Sequence, residues 1–320
     1  MREDKYAHEM VSPVTDSTPP PPPPPPSQFV AAQASGLSRR ARRTIIAVVV
    51  IVIVLIGIIG YAAAGFAFAT TRVAIADKSL NSVISHQNSL NTTFKDINTK
   101  FNALSSGTAS DPKQAHTLID QFVVNAKSAG TTVDKDDASL LSARTGLKEQ
   151  QWLTLVGRGN LDKEQARIDH ARKALAEAKT IAADYVQDGE FIQAFLDAMV
   201  DLDTFDTQSA NADLTGAKGT LASMSTHVNK ALQLSSAPGL PTELHSLMVD
   251  FQTLVADFGK LLDAVAANND QSIIAAGASV SADADKIGTY NFDKISTQID
   301  AYYKPLVDTF NSEMAKATAS

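Results

Sequence analysis

PTELHSLMVDFQTLVADFGKLLDAVAA, residues 241–267, decides the fold class. Leu244, Leu247, Phe251, Leu254, Phe258, Leu261 and Val265 alternate steps of three and four, a spacing that gathers them on one side of an α-helix and scatters them over both faces of a strand. Met248, Val255 and Leu262 widen the stripe enough for the helix to touch more than one neighbour. The preceding SSAPGLP, residues 235–241, reads as a loop, and Asn268-Asn269-Asp270 turns the chain at the far end.

The same step recurs on either side. Towards the C-terminus, Ile273, Val280, Ala284 and Ile287 mark a helix that stops at Gly288. Phe292, Ile295, Ile299, Tyr302, Leu306 and Phe310 then place a last helix over about 292–316, with a kink expected at Pro305. Towards the N-terminus, residues 190–234 carry two faces, Ile192-Phe195-Met199-Leu202 and Ala210-Leu214-Ala217-Leu221-Met224-Val228-Ala231, as one helix or two. Gly189 reads as a weak break before them. Residues 161–187 put Leu161, Ile168, Ala171, Leu175, Ala178, Ala182 and Tyr185 on one side, after a turn at Gly157-Arg158-Gly159-Asn160. A segment over about 134–155 carries Leu140, Leu141, Leu147, Trp152 and Leu155. Before it, Asp111 caps a helix with Pro112 in its first turn and Ala115, Leu118, Phe122, Ala126 and Ala129 on its face, and Gly130 is expected to end it.

Earlier still, Val73, Ala76, Leu80, Val83, Leu90, Phe94, Ile97, Phe101 and Leu104 form a narrow stripe in which Gln87 is the one polar member. This predicts a stalk helix over 70–105. A shared step of about 3.5 residues favours neighbours crossing at about +20°, and short connections favour antiparallel neighbours. The expected fold is all-α: an elongated antiparallel bundle or coiled coil over 111–316 joined to the stalk, with a frayed end at 317–320. Aromatic residues are only 6% of the chain, which suits aliphatic helices better than a sandwich or barrel.

Residues 45–60, IIAVVVIVIVLIGIIG, contain no polar side chain, and Tyr61 and AAAGFAFA extend the run to Ala69. As a helix these 25 residues would reach ~37 Å, enough for a ~30 Å hydrocarbon core with some tilt. A single membrane-spanning helix is expected over 44–69. Arg39, Arg40, Arg42 and Arg43 stand immediately before it, so the positive-inside rule keeps the N-terminus in the cytoplasm and puts the large C-terminal part outside, at the plasma membrane. The competing reading is a secreted protein cleaved near Ala69, since Ala67-Phe68-Ala69 has the small-x-small form; a basic region of some 44 residues and so long an apolar core favour the anchor. Residues 1–43, with Pro19–Pro26 in an unbroken run, bury too little apolar surface to fold and read as a disordered tail.

Chemistry is sparse. The chain has no cysteine, which excludes disulfides, thiolate zinc and a cysteine nucleophile, and its net charge of −7 argues against nucleic acid as partner. No histidine stands in a metal-binding or di-iron spacing, and the sequence points to no cofactor, metal or catalytic residue. The aspartate runs near 134–137 and 283–285 depart from a calcium loop at its glycine or its terminal glutamate position. Asp197, Asp201, Asp203 and Asp206 form a candidate acidic surface, and Gly60 and Ala64 a candidate small-residue contact between two spans. The expected partners are the lipid bilayer, a protein of the envelope and a second copy of the chain through the stalk. The sequence favours a non-enzymatic protein that binds or scaffolds envelope components. A ligand-sensing ectodomain that signals through a partner membrane protein is the alternative, and an extracytoplasmic hydrolase or metalloenzyme is the third reading.

Overall fold

A computed structural model of the chain describes residues 78–89, 92, 112–149 and 158–319. The expected tail, the expected span over 44–69, the four arginines, Gly60 and Ala64 lie outside the described residues. Among the described residues there is no strand, and no helix is long and apolar enough to cross a membrane.

Seven helices are described: α1 (residues 78–89), α2 (Pro112–Glu149), α3 (Arg158–Ala210), α4 (Leu214–Leu234), α5 (Thr242–Ala266), α6 (Asp270–Ile287) and α7 (Phe292–Thr318). The axis of the bundle is α3, whose 53 residues extend ~80 Å. On it pack α2, α4 and α7; α5 lies against α4, and α6 against α5.

Cross-helix pairs fix the directions. Along α2 and α3, His116 meets Asp197 (3.0 Å), Lys127 meets Glu190 (2.9 Å), Asp134 meets Lys179 (2.7 Å), Asp137 meets Arg172 (2.8 Å) and Arg144 meets Asp169 (2.6 Å). One number climbs as the other falls, so the two helices form an antiparallel hairpin. Exposed pairs of this kind contribute ~0–1 kcal/mol each, so the ladder sets register more than stability. Stability comes from the apolar seams, where each fully buried large side chain is worth roughly 1.5–3 kcal/mol.

Those seams form two cores along α3. The larger joins the C-terminal half of α3 to the start of α2 and to α4, α5, α6 and the start of α7. Phe195 meets Phe251 and Phe205 meets Phe258, with ring centroids 6.2 and 4.8 Å apart, and Met224, Met248 and Leu254 close around them. The smaller core gathers Leu80 and Val83 of α1, Val133 and Leu140 of α2, Ile168, Ala171 and Leu175 of α3, and Phe310, Met314 and Ala317 of α7. Leu80 and Val83, two members of the expected stalk stripe, therefore pack against the chain's own bundle.

Element boundaries differ from the sequence expectation at Gly130 and Gly189, neither of which ends a helix. Gly130 lies inside α2 and Gly189 inside α3. A Cβ at Gly189 would lie 2.4 Å from Val123 Cγ2 and 3.2 Å from Phe122 Cδ1, so the missing side chain is the notch into which α2 fits. Arg158, Gly159 and Asn160, expected in a turn, are the first residues of α3. The break within 190–234 falls at residues 211–213, where Ala212 takes a positive φ of 56° and the Asp213 side chain accepts from the Gly216 amide to start α4. Asn269 and Asn291 cap α6 and α7 in the same way.

The face of α7 is also rotated. Tyr303, Val307 and Met314 are buried alongside Phe292, Ile295, Ile299 and Phe310, whereas Tyr302 is exposed and Leu306 half-buried. The helix continues through Pro305 to Thr318 rather than fraying at 317. Ala317 is fully buried, and Arg167 Nε donates to its carbonyl at 2.8 Å, which ties the last turn to α3.

Candidate functional site

Stepping by three along the α3 stripe from Ala182 through Tyr185 reaches Asp188, and the structure buries it completely. Tyr303 of α7, itself fully buried, donates its hydroxyl to Asp188 Oδ2 at 2.6 Å. Asp188 Oδ1 is buried without a hydrogen-bond partner. One turn back, Asp184 Oδ2 accepts from the Tyr302 hydroxyl at 3.0 Å. The rings of Tyr185 and Tyr302 meet that of Tyr303 edge-on, with centroids 5.1 and 5.0 Å away. Gly239, at φ +86°, lets the loop before α5 lie on the Tyr303 hydroxyl; a Cβ there would stand 2.7 Å from it.

The electrostatics follow from this burial. Removal from water pushes the Asp188 carboxyl up to about 8; the Tyr303 hydrogen bond opposes that rise and the neighbouring charge of Asp184 adds to it. Burial likewise raises Asp184 and Asp300. Burial, then the carboxylates, keep the three phenols neutral: Tyr302 is pushed up to about 12, and Tyr185 and Tyr303 well above the ordinary tyrosine range. Asp188 is thus a neutral carboxylic acid at physiological pH, able to accept from Tyr303 and to donate its own proton. Asp188 lies sealed from solvent inside the α3–α7 seam.

A second acidic group lies between α5 and α6. Asp250 accepts from Lys286 Nζ and the Tyr290 hydroxyl, both at 2.7 Å. Asp257 accepts from Lys260 Nζ at 2.6 Å, and burial together with the Asp257 charge raises the facing Asp283. Tyr290 is driven upward, first by burial and then by its bond to Asp250.

The residues singled out in the sequence are dispersed over the helix seams. Asp197 faces α2, where His116 Nε2 is 3.0 Å away, while Asp201 faces α4 and meets His227 Nδ1 at 2.8 Å. Asp203 is exposed and Asp206 half-buried on the same helix. The Asp134–Asp137 run splits between Lys179, His86 and Arg172. His170 meets Glu313 at 2.7 Å; this contact, with Lys316 on the other oxygen, holds the Glu313 carboxyl down to about 2. Among the described residues, no three histidine, cysteine, aspartate or glutamate side chains gather as a metal site would require. Asp184, Asp188 and Tyr303 are perturbed groups that the sequence does not single out. The signal available for Asp188 was its place on the continued apolar stripe. No protein family, curated protein or solved structure matches the chain.

Proposed function

We propose that this chain is a non-enzymatic, membrane-anchored protein whose helical bundle stands outside the cytoplasm and binds or scaffolds other components of the cell envelope. The apolar run over 45–69 and its arginine flank supply the anchor and the orientation in this reading. What carries the reading further is the use made of the residues just beyond. Leu80 and Val83 are already part of the smaller core, so residues 70–77 alone separate run and bundle. Fully extended, those eight residues cover at most ~28 Å, which keeps the bundle within reach of the lipid surface. An elongated bundle held there presents the long outer faces of α2 and α6 to neighbouring envelope proteins. Pairing between two copies falls to Gly60 and Ala64 in the span, since α1 spends part of the stalk stripe within its own chain.

Cross-linking of the full chain in its own membranes, followed by gentle extraction and mass spectrometry, tests the proposal. Reproducible cross-links from bundle lysines to other envelope proteins, in a particle heavier than the monomer, are expected. Monomer with only internal cross-links would overturn it.

A further inference from the structure

We propose that the end of the bundle where α2 passes into α3 is a second lipid contact, through which the apolar connection over residues 150–157 enters the headgroup layer beside the span. The inference rests on the membrane reading and adds to it a surface that the anchor does not require.

Register places this end. The Ser139 hydroxyl of α2 donates to that of Ser79 in α1 at 3.3 Å, and His86 Nδ1 lies 2.9 Å from Asp136 Oδ1. The two helices are therefore antiparallel, and the start of α1 points the same way as the last turns of α2. Ten residues lead from Ser139 to Glu149, where α2 ends, and ten lead from Ser79 back to Ala69, where the apolar run ends. At a helical rise either stretch covers ~15 Å. A span that continues straight into α1 thus brings the end of the α2–α3 hairpin level with the lipid surface.

Among the described residues, the rest of the bundle does not cover this end. The smaller core stops at Leu140 of α2 and Ile168 of α3; beyond them, towards the connection, no described side chain of either helix is buried, and Leu141 is 44% exposed. The last buried residue of α7, Ala317, gives its carbonyl to Arg167, which is nine residues from the start of α3 at Arg158. Two helices without a third neighbour cannot enclose a hydrophobic cluster. Yet the connection reads QQWLTLVG, with Trp152, Leu153, Leu155 and Val156 among its eight residues and no charge. Lys148 and Glu149 precede it and Arg158 follows. Eight residues are too few to cross a bilayer. An indole among aliphatic side chains, with lysine and arginine at the ends of the segment, has the composition that settles between headgroups and hydrocarbon.

Trp152 is the only tryptophan of the chain, so its emission reports on this connection alone. The full chain is reconstituted into phosphatidylcholine–phosphatidylglycerol vesicles, with or without bromine on the acyl chains close to the headgroups, and iodide is supplied in the water on both sides. Bromolipid is expected to lower the emission by about half, and iodide to lower it little. In a chain carrying Leu153→Asp and Leu155→Asp the pattern is expected to reverse, with iodide quenching and bromolipid not, while the chain still floats with the vesicles because the span holds it. Emission of the unaltered chain that iodide quenches freely overturns the proposal. So does emission that neither quencher reaches, which would mean that the connection folds back onto the bundle. Flotation separates this inference from the reading beneath it: a chain that floats with a tryptophan insensitive to bromolipid overturns the lipid contact alone, and a chain that does not float overturns the anchor and the contact together.

Discussion

Replacing Asp188 by Asn tests the buried proton directly. The carboxyl lies at an ordinary 3.8 when exposed and at about 8 in the fold, because burial disfavours its charge. Between those values the native state keeps a proton that the unfolded chain releases, so this residue lowers stability as pH rises from 4 and stops doing so above 8. At pH 7 the interval above the ordinary value is about three units, and at ~1.4 kcal/mol per unit the burden is roughly 4 kcal/mol. Asparagine keeps an oxygen to accept from Tyr303 and has nothing to titrate. Urea unfolding of the full chain in micelles, followed by circular dichroism at several pH values, should show the variant matching the parent near pH 4. Its advantage should then grow by about 1.4 kcal/mol per pH unit to roughly 4 kcal/mol at pH 7. A difference independent of pH, or a variant less stable than the parent at neutral pH, would refute the reasoning.

Three further outcomes come from the same seams. Gly239→Ala places a Cβ 2.7 Å from the Tyr303 hydroxyl at a backbone φ of +86°, and denaturant titration should show a loss of at least ~2 kcal/mol. Gly189→Ala drives a methyl into Val123 and Phe122 and should cost about 1–3 kcal/mol, with the melting temperature as readout; an unchanged melting point would mean that α2 and α3 approach less closely than described. Tyr303→Phe strips Asp188 of its donor. It should cost about 1–3 kcal/mol and raise the Asp188 carboxyl further, extending the decline of stability with pH beyond that of the parent.

The helices with complete local signals were legible in the sequence. For α5 the heptad stripe, the proline-bounded loop and the Asn268–Asp270 turn all agreed; α6 begins at that turn, and α7 begins at Phe292, where its apolar face starts. What failed was the reading of two glycines as helix ends, whereas Gly288 does end α6. Gly130 and Gly189 are conformationally capable of ending a helix, but their role is set by the partner: Ala182 approaches the first, and Val123 and Phe122 the second. Only the α2–α3 contact reveals that. The true break at 211–213 has no glycine or proline to announce it. On α7, Tyr302 and Tyr303 are equally suited to the core by chemistry, and a rotation of one residue decides which one is buried. Asp188 was hidden for a related reason, because a carboxylate on an apolar stripe looks like its end until a tyrosine from a helix 115 residues away is seen to receive it.

Protease added to intact cells carrying an epitope at the C-terminus measures the central claim most directly. If the run over 45–69 spans the membrane with Arg39–Arg43 inside, the epitope is lost from intact cells while a tag at the N-terminus survives until lysis. Survival of the C-terminal epitope in intact cells, with its loss after lysis, would contradict the proposed orientation and the function built on it.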